Sequence, residues 1–569
     1  MKQQTFATLY TPEAARVDEP ALYPRPAMVR DSFFSLNGKW EFSAVPCGAT
    51  PTYNQTIRVP FPPESALSGI GKRYQKDTVL CYRRYFSLPD GFRSDRVLLH
   101  IGAADQIAKV TLNGTFLGEH RGGYLPFSFD ITHALCAGEN TLEVAVTDEL
   151  HNRVLPWGKQ REDRGGMWYT PISGLWQDVW LESVPAEYIR ALEITADEKG
   201  ATVRADGVDE GMLIVRLENG FMCEKMRNGV AHIALTEAHL WSPEDPYLYH
   251  FTLTAGEDKV SSYFACRTLS VDQINGVPRI LLNGKPYFFH GLLDQGYFPD
   301  GILTAAHPAA YERDILLAKS LGFNTLRKHI KIEPQRFYYD CDRLGMIVFQ
   351  DMVNNGYYSF LRDTALPTIG IKGLSDKHLH RDKTTRAAFI SAMKETVRHL
   401  KNHPSICYWT IFNEGWGQFE GDAAYEVLRE IDDTRIIDTA SGWFRTKKSD
   451  VESPHVYFKP VKMKPCKKPT VLSEFGGYSL PVKDHVFNTE RVYGYKKFED
   501  PATFSKALCA LYRGEILPLV RKGLCGAIYT QLSDVEDEIN GITTYDRKVV
   551  KVDAAEMLAI ARDLQEALQ

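Results

Sequence analysis

The chain has 569 residues, of which 44% are hydrophobic and 24% charged, and 67 Lys+Arg against 72 Asp+Glu leave a formal net charge of −5. No charge run is longer than the basic KMKPCKKP stretch near Lys462, which argues against a nucleic-acid surface. No apolar run approaches the roughly 18 residues of a membrane span, so neither nucleic acid nor membrane is expected as a partner. At roughly 100–200 residues per domain, this length calls for several domains.

The N-terminal MKQQTFATLYTPEAARVDEP lacks the apolar core of a secretory signal, and the ten cysteines are scattered with no C-x-x-C pair. A cytoplasmic protein with free thiols is expected. The NGT at Asn113 is then a chance sequon.

Residues 1–185 read as all-β: VLLHIG, KVTLNG, TLEVAV and DVWLES alternate in polarity between Gly, Pro, Asn and Asp, which suits a jelly-roll β-sandwich. Asn113–Gly114 sits between two such runs as a hairpin turn. A second short-strand region, 186–270, contains MLIVRLE, YHFTLTA and SYFACRTLS, and its length fits an immunoglobulin-like β-sandwich. From 271 to 569 apolar runs alternate with amphipathic ones. FFHGLL, NTLRKH, MIVFQDM, ICYWTIFNE, RIIDTASG, SPHVYF, TVLSEFGG and GAIYTQLS are eight candidate strands. Helices are expected over 309–321, 334–344, 384–402 and 503–522, with weak or missing ones around the sixth strand. That alternation predicts a (β/α)8 TIM barrel. HGLLDQG, after the first strand, is not the phosphate-binding glycine loop of a doubly wound sheet.

Barrel enzymes carry their chemistry at the C-terminal ends of strands. The fourth strand ends Asn413–Glu414 and the seventh Ser473–Glu474, 60 residues later. Two carboxyl groups facing one cleft suit glycoside hydrolysis: one protonates the leaving oxygen, the other attacks the anomeric carbon. No G-x-S-x-G elbow or H-E-x-x-H zinc motif is present.

With these residues in view, the whole chain resembles glycoside hydrolase family 2, the β-galactosidases, β-glucuronidases and β-mannosidases. SLNGKWEF, RGGYLPFSFDIT and SGLWQDVWLE resemble its N-terminal sugar-binding sandwich, LGFNTLRKH its second barrel strand, WTIFNEGW its acid/base motif and VLSEFGG its nucleophile motif. The resemblance implies a retaining exo-glycosidase with Glu414 as acid/base and Glu474 as nucleophile, their carboxyl groups about 5–5.5 Å apart. It implies that Asn413 binds the sugar 2-hydroxyl and that Arg327 holds Glu474 ionised. His455 and Tyr457 on the sixth strand are candidates to contact the nucleophile or a sugar hydroxyl, and Asp294 and Gln295 after the first to contact the distal hydroxyls. Trp443 and Trp416 offer stacking faces, as do Trp168 and Tyr169 if GGMWYTPISG reaches the barrel mouth.

Two departures bear on the substrate. β-Glucuronidases carry an Asn-x-Lys pair after the eighth strand, whose lysine binds the uronate. The matching stretch EDEINGITTYDRK places Glu538 and Asn540 there, which disfavours a uronate. The glutamate and histidine that help hold magnesium in metal-dependent β-galactosidases are missing from QDMVNNGYY, so no metal or other cofactor is expected. The expected substrate is a terminal neutral β-glycoside, a β-galactoside first and a β-mannoside or arabinoside next. A uronidase using Arg445 or Lys447 is the alternative, and a non-catalytic sugar-binding protein is the reading from another class; a homo-oligomer is the candidate assembly.

Overall fold

The computed structural model describes residues 6–568 except 151, 369–375, 445, 458 and 465. Arg445, one of the candidate uronate ligands, therefore lies outside the described residues.

The first sandwich packs a six-stranded sheet against a four-stranded one. Its core is built from alternating inward residues such as Trp40, Phe42, Leu80, Tyr82, Val110, Leu112, Val144 and Leu181. The hairpin at Asn113–Gly114 forms as expected: Asn113 at φ +51° and Gly114 at φ +79° give the left-handed pair that a two-residue turn between twisted strands requires. The second sandwich pairs a three-stranded and a four-stranded sheet around Val203, Leu213, Val215, Phe251 and Leu253.

The barrel strands are Phe289–Asp294, Thr325–Lys328, Ile347–Asp351, Ile406–Asn413, Ile436–Ser441, His455–Val456, Thr470–Gly476 and Leu524–Thr530, here numbered 1 to 8. They run in one sheet in the spatial order 5-4-3-2-1-8-7-6. The seam lies between strands 5 and 6, where Gly442 N donates to Ser453 O at 2.8 Å. Helices Ala309–Ser320, Gln335–Leu344, Lys383–Leu400, Gly421–Ile431, Pro501–Leu511 and Ala554–Glu566 cover the outside. Among the described residues no α-helix lies between strands 5 and 6 or 6 and 7, so the expected weakness there is real. No described helix is long and apolar enough to cross a membrane, and all ten cysteines are unpaired.

The three bodies are stitched together by buried polar contacts. Trp241, fully buried in the WSPEDPYLY stretch, donates from its indole to Asp342 O at 2.7 Å. Arg267 donates to the carbonyls of Pro404 and Ile406 at the start of strand 4. Two segments do not stay with the first sandwich. The N-terminal stretch runs along the other bodies: Thr11 donates to Asp300 from both N and Oγ1, and Arg30 grips Asp258. The second segment, around residues 157–176, leaves the sandwich and packs into the barrel mouth, where Trp157, Trp168, Tyr169 and Trp176 join the barrel's own core.

Candidate active site

Glu414 follows the last residue of strand 4 at φ +50°, a conformation uncommon for a non-glycine residue and found where a site over-determines it. Its neighbours explain how it is held. A side chain on Gly415 (φ +77°) would come within 2.2 Å of the Phe444 ring, and one on Gly442 within 3.2 Å of Glu414 Cγ and of His455. The glycines let the ends of strands 4 and 5 close over the carboxylate. Glu474, on strand 7, pairs in register with His455 of strand 6. One oxygen of Glu414, one of Glu474 and a ring nitrogen of His455 all lie within 4.8 Å of one another, and all three residues are buried. A direct-attack pair stands about 5–5.5 Å apart, and a gap that admits a water between acid and base runs to roughly 6.5–9.5 Å. Of the described residues, the same three are also the His/carboxylate grouping able to converge on a cation.

Arg327 organises the floor. Its Nε and Nη2 hold Asp351 at 2.9–3.1 Å, Nη1 donates to Glu474 Oε1 and Ser473 O at 3.0 Å, and Nη2 donates to Asn413 Oδ1 at 2.9 Å. Burial alone would raise the Glu474 carboxyl, but the charges of His455, Arg327 and His329 and the hydroxyl of Tyr457 outweigh it and hold the group at about 2. Its stabilising contribution is complete above the ordinary carboxylate value of 4.5 and is lost as pH falls through about 2. Glu474 is thus an anion at any working pH. With its oxygen fixed on Arg327, the Asn413 amide points its Nδ2 away, buried and with no partner. A buried donor without an acceptor is costly. Tyr457 donates to Glu474 Oε2 and stacks on Tyr495 at 4.2 Å.

Donor counting fixes the proton next to Glu414. Both hydrogens of Arg327 Nη1 are spent on Glu474 and Ser473 O. Ser473 donates to Ser453 O at 3.1 Å and Ser441 to Ser473 at 2.8 Å. Ser441 therefore accepts from His455 Nε2 at 3.0 Å. Nδ1 is left facing Glu414 Oε1 at 2.8 Å, and one proton is shared between them. His455→Asn should lower kcat/KM, because it removes the partner of Glu414 Oε1, and an unchanged kcat/KM in that variant would refute a role for this contact.

The wall comes from the sandwich segment. Trp168 lies 5.1 Å from Trp416, which also meets Tyr358 and His329. Tyr169 donates its hydroxyl to Glu538 Oε2, and Lys159 Nζ sits 4.9 Å from the Trp416 ring centre. Trp443 stands edge-on to His455 at 5.7 Å. The indole nitrogens of Trp416 and Trp443 have no protein partner.

Three expected ligands are placed otherwise. Asp294 is in register with Lys328, while Leu293 is in register with Arg327. Arg327 and Leu293 face the barrel interior, so Asp294 faces the helices. There it accepts from Lys328 Nζ at 2.6 Å and Gly296 N at 2.9 Å, and Lys328 in turn lies over Phe337. Asn540 has both ends of its amide engaged, donating to Glu538 at 2.9 Å and accepting from Gln531 at 2.7 Å, so it positions Glu538 and has no free end for a sugar. Lys447 is exposed. Gln295 is buried with its side-chain oxygen unpartnered. Sequence reasoning missed Asp351, His329 and Lys159. Asp351 was legible as the polar end of strand 3; the other two had no signal in their surroundings.

Three family models match along the chain: the galactose-binding-domain-like model of glycosyl hydrolase 2 over residues 65–164, the glycosyl hydrolases family 2 model over 192–267, and the family 2 TIM barrel model over 274–477. The chain belongs to glycoside hydrolase family 2. Among family 2 relatives, a β-galactosidase of Aeromonas hydrophila is 27% identical over 482 residues, covering 77% of this chain and 43% of its own length. A β-glucuronidase of Felis catus is 26% identical over 471 residues, covering 73% of this chain and 68% of its own. This chain spans under half the length of the β-galactosidases it matches, 43% and 46%. The fold is shared with a β-glucuronidase from an uncultured Clostridium species at TM-score 0.73 and 19% identity, over 96% of this chain and 100% of that one. The family's barrel model spans Glu414 and Glu474 but stops before Glu538.

Proposed function

We propose that this family 2 member removes a terminal neutral sugar, a β-galactoside first, with retention of configuration. The observation that carries the reading is the buried carboxyl pair within 4.8 Å, one member of which is an anion fixed by Arg327. Glu414 passes its proton to the glycosidic oxygen as a Glu474 oxygen attacks the anomeric carbon; the aglycone leaves as an alcohol and a glycosyl ester forms. Esterification removes the charge of Glu474. Glu414, now a carboxylate supported by His455, takes a proton from water, the resulting hydroxide adds to the anomeric carbon, and Glu474 is released. The free amide N–H of Asn413 supports a bond to the 2-hydroxyl that tightens toward the oxocarbenium-like transition state. Burial of both glutamates and the closing wall of Trp168, Trp416 and Glu538 favour a single terminal residue over an extended chain.

Relatives named β-galactosidase and β-glucuronidase both match. Glu538 supports the neutral reading: it stands at the sequence position where the resemblance puts uronate recognition, and a carboxylate there repels a uronate. Hydrolysis of a panel of nitrophenyl β-glycosides, with NMR of the first-formed anomer, tests both claims. A neutral β-sugar released as its β-anomer is expected; release of the α-anomer, or exclusive cleavage of the glucuronide, would overturn the respective claim. Asn413→Ala should lower kcat by about 100-fold, and that penalty should vanish on the 2-deoxy glycoside. An equal penalty on both substrates would remove Asn413 from the 2-hydroxyl.

A further inference from the structure

The mechanism above does not use Lys159, a cation at the barrel mouth. Lys159 is 6% exposed, lies on the sandwich segment, and has neither a hydrogen bond from its ammonium nor an ion pair among the described residues. Its backbone is fixed. Lys159 O accepts from Tyr169 N at 3.1 Å, and the next residue, Gln160, is stapled by bonds to Asp105, Tyr124 and Ile172. The ammonium is surrounded by ring faces, 4.9 Å from Trp416, 5.7 Å from Trp168 and 5.8 Å from Tyr169. Such faces attract a cation but do not supply the acceptors its three N–H groups need.

Tyr169 connects this ammonium to Glu538. One side of the ring borders Lys159, and its hydroxyl donates to Glu538 Oε2 while Asn540 donates to Oε1. Burial lowers the pKa of the Lys159 ammonium, and Glu538 is the strongest of the carboxylates that oppose this, ahead of Glu474 and Glu414. Tyr169 links the two groups, its ring 5.8 Å from the ammonium and its hydroxyl on Glu538, and no ion pair joins them among the described residues. Each oxygen of Glu538 keeps a lone pair, and Lys159 keeps all its donors. Arg327 is already neutralised by Asp351 and Glu474, so Lys159 and Glu538 balance each other and leave no surplus positive charge for an anionic sugar.

We propose that Lys159 and Glu538 form a donor–acceptor clamp on one hydroxyl of a neutral sugar, Lys159 donating to its oxygen and Glu538 accepting its proton. A hydroxyl is the group that satisfies both partners at once; a carboxylate satisfies Lys159 and collides with Glu538. The proposal rests on the reading of the site as a glycosidase and makes Lys159 a specificity determinant carried by the sandwich.

The test uses the full chain and the neutral nitrophenyl glycoside it cleaves best, with the 3-, 4- and 6-deoxy analogues and the uronide. Lys159→Met exchanges an unpaired ammonium for an apolar chain of similar length among aromatic rings, and Glu538→Gln provides a second arm that leaves Lys159 in place. Each variant should lose about 100-fold in kcat/KM on the parent glycoside and almost nothing on one deoxy analogue, the same analogue for both. Penalties that persist on every deoxy analogue, or fall on different ones for the two variants, overturn the clamp. So does a wild type that prefers the uronide and loses that preference in Lys159→Met. Labelling of Glu474 by an activated 2-fluoro glycoside reports separately on the glycosidase reading: its absence in wild type overturns that reading, whereas labelling together with persistent deoxy penalties overturns the clamp alone.

Discussion

Glu474→Gln is expected to lower kcat by on the order of 10⁴- to 10⁶-fold, the scale on which loss of a catalytic nucleophile is felt, in a protein that still folds. The amide keeps the shape of the side chain. Its oxygen still accepts from Arg327 Nη1, and Arg327 keeps Asp351 as its counter-ion. What disappears is the anion that attacks the sugar. Azide separates the two glutamates further when each is shortened to alanine. At Glu474→Ala azide enters from the nucleophile's face and gives the α-glycosyl azide. At Glu414→Ala the ester still forms, and azide opens it to the β-product. The same azide anomer from both variants would mean that the roles are wrongly assigned, and more than a few per cent of wild-type turnover in Glu474→Gln would remove it as the nucleophile.

Arg327→Met should have the largest effect on folding. It leaves Asp351 and Glu474 buried with no guanidinium between them and frees the oxygen of Asn413. Breaking a buried ion pair from one side typically costs about 3–5 kcal/mol, and here two carboxylates share the loss. The barrel transition in urea should move down, and activity should fall even where the variant remains folded, because Glu474 and Asn413 lose their common anchor. Arg327→Lys should not restore either property: an ammonium has three donors at a point, whereas this site uses a planar fork to reach four groups. Full stability in either variant would show that the floor is held by something else.

Much of this was legible in the sequence because it depends on local pattern. Strand runs ending in Asn413–Glu414 and Ser473–Glu474, and an arginine at the end of strand 2, mark positions that a barrel brings together whatever its loops do. The weak helical pattern around strand 6 corresponds to a real gap in the outer ring. Asp294 shows the limit of reading strand ends without strand parity. Its neighbour Leu293 and the register partner Arg327 occupy the interior face, so a carboxylate one residue further along must turn to the helices, where Lys328 meets it. Lys159 shows a different limit. Nothing in WGKQRED marks a site residue, because its surroundings, Trp416 and Glu538, arrive from positions more than 250 residues away. Composition and periodicity describe a segment's own fold; they say little about which other body it enters.

The segment around residues 157–176 is anchored in one body and finishes the pocket of another. Bond-breaking groups sit on barrel strands whose geometry tolerates little change, whereas Trp168, Tyr169 and Lys159 hang from a sandwich connection with no part in the hydrogen-bonded barrel. Inheritance can therefore work on the two at different rates. On the proposed assignment, drift in this connection retunes which sugar is admitted, while the two glutamates stay under the constraint of the barrel. A family that divides into many sugar specificities over one reaction is what such a division of labour would produce.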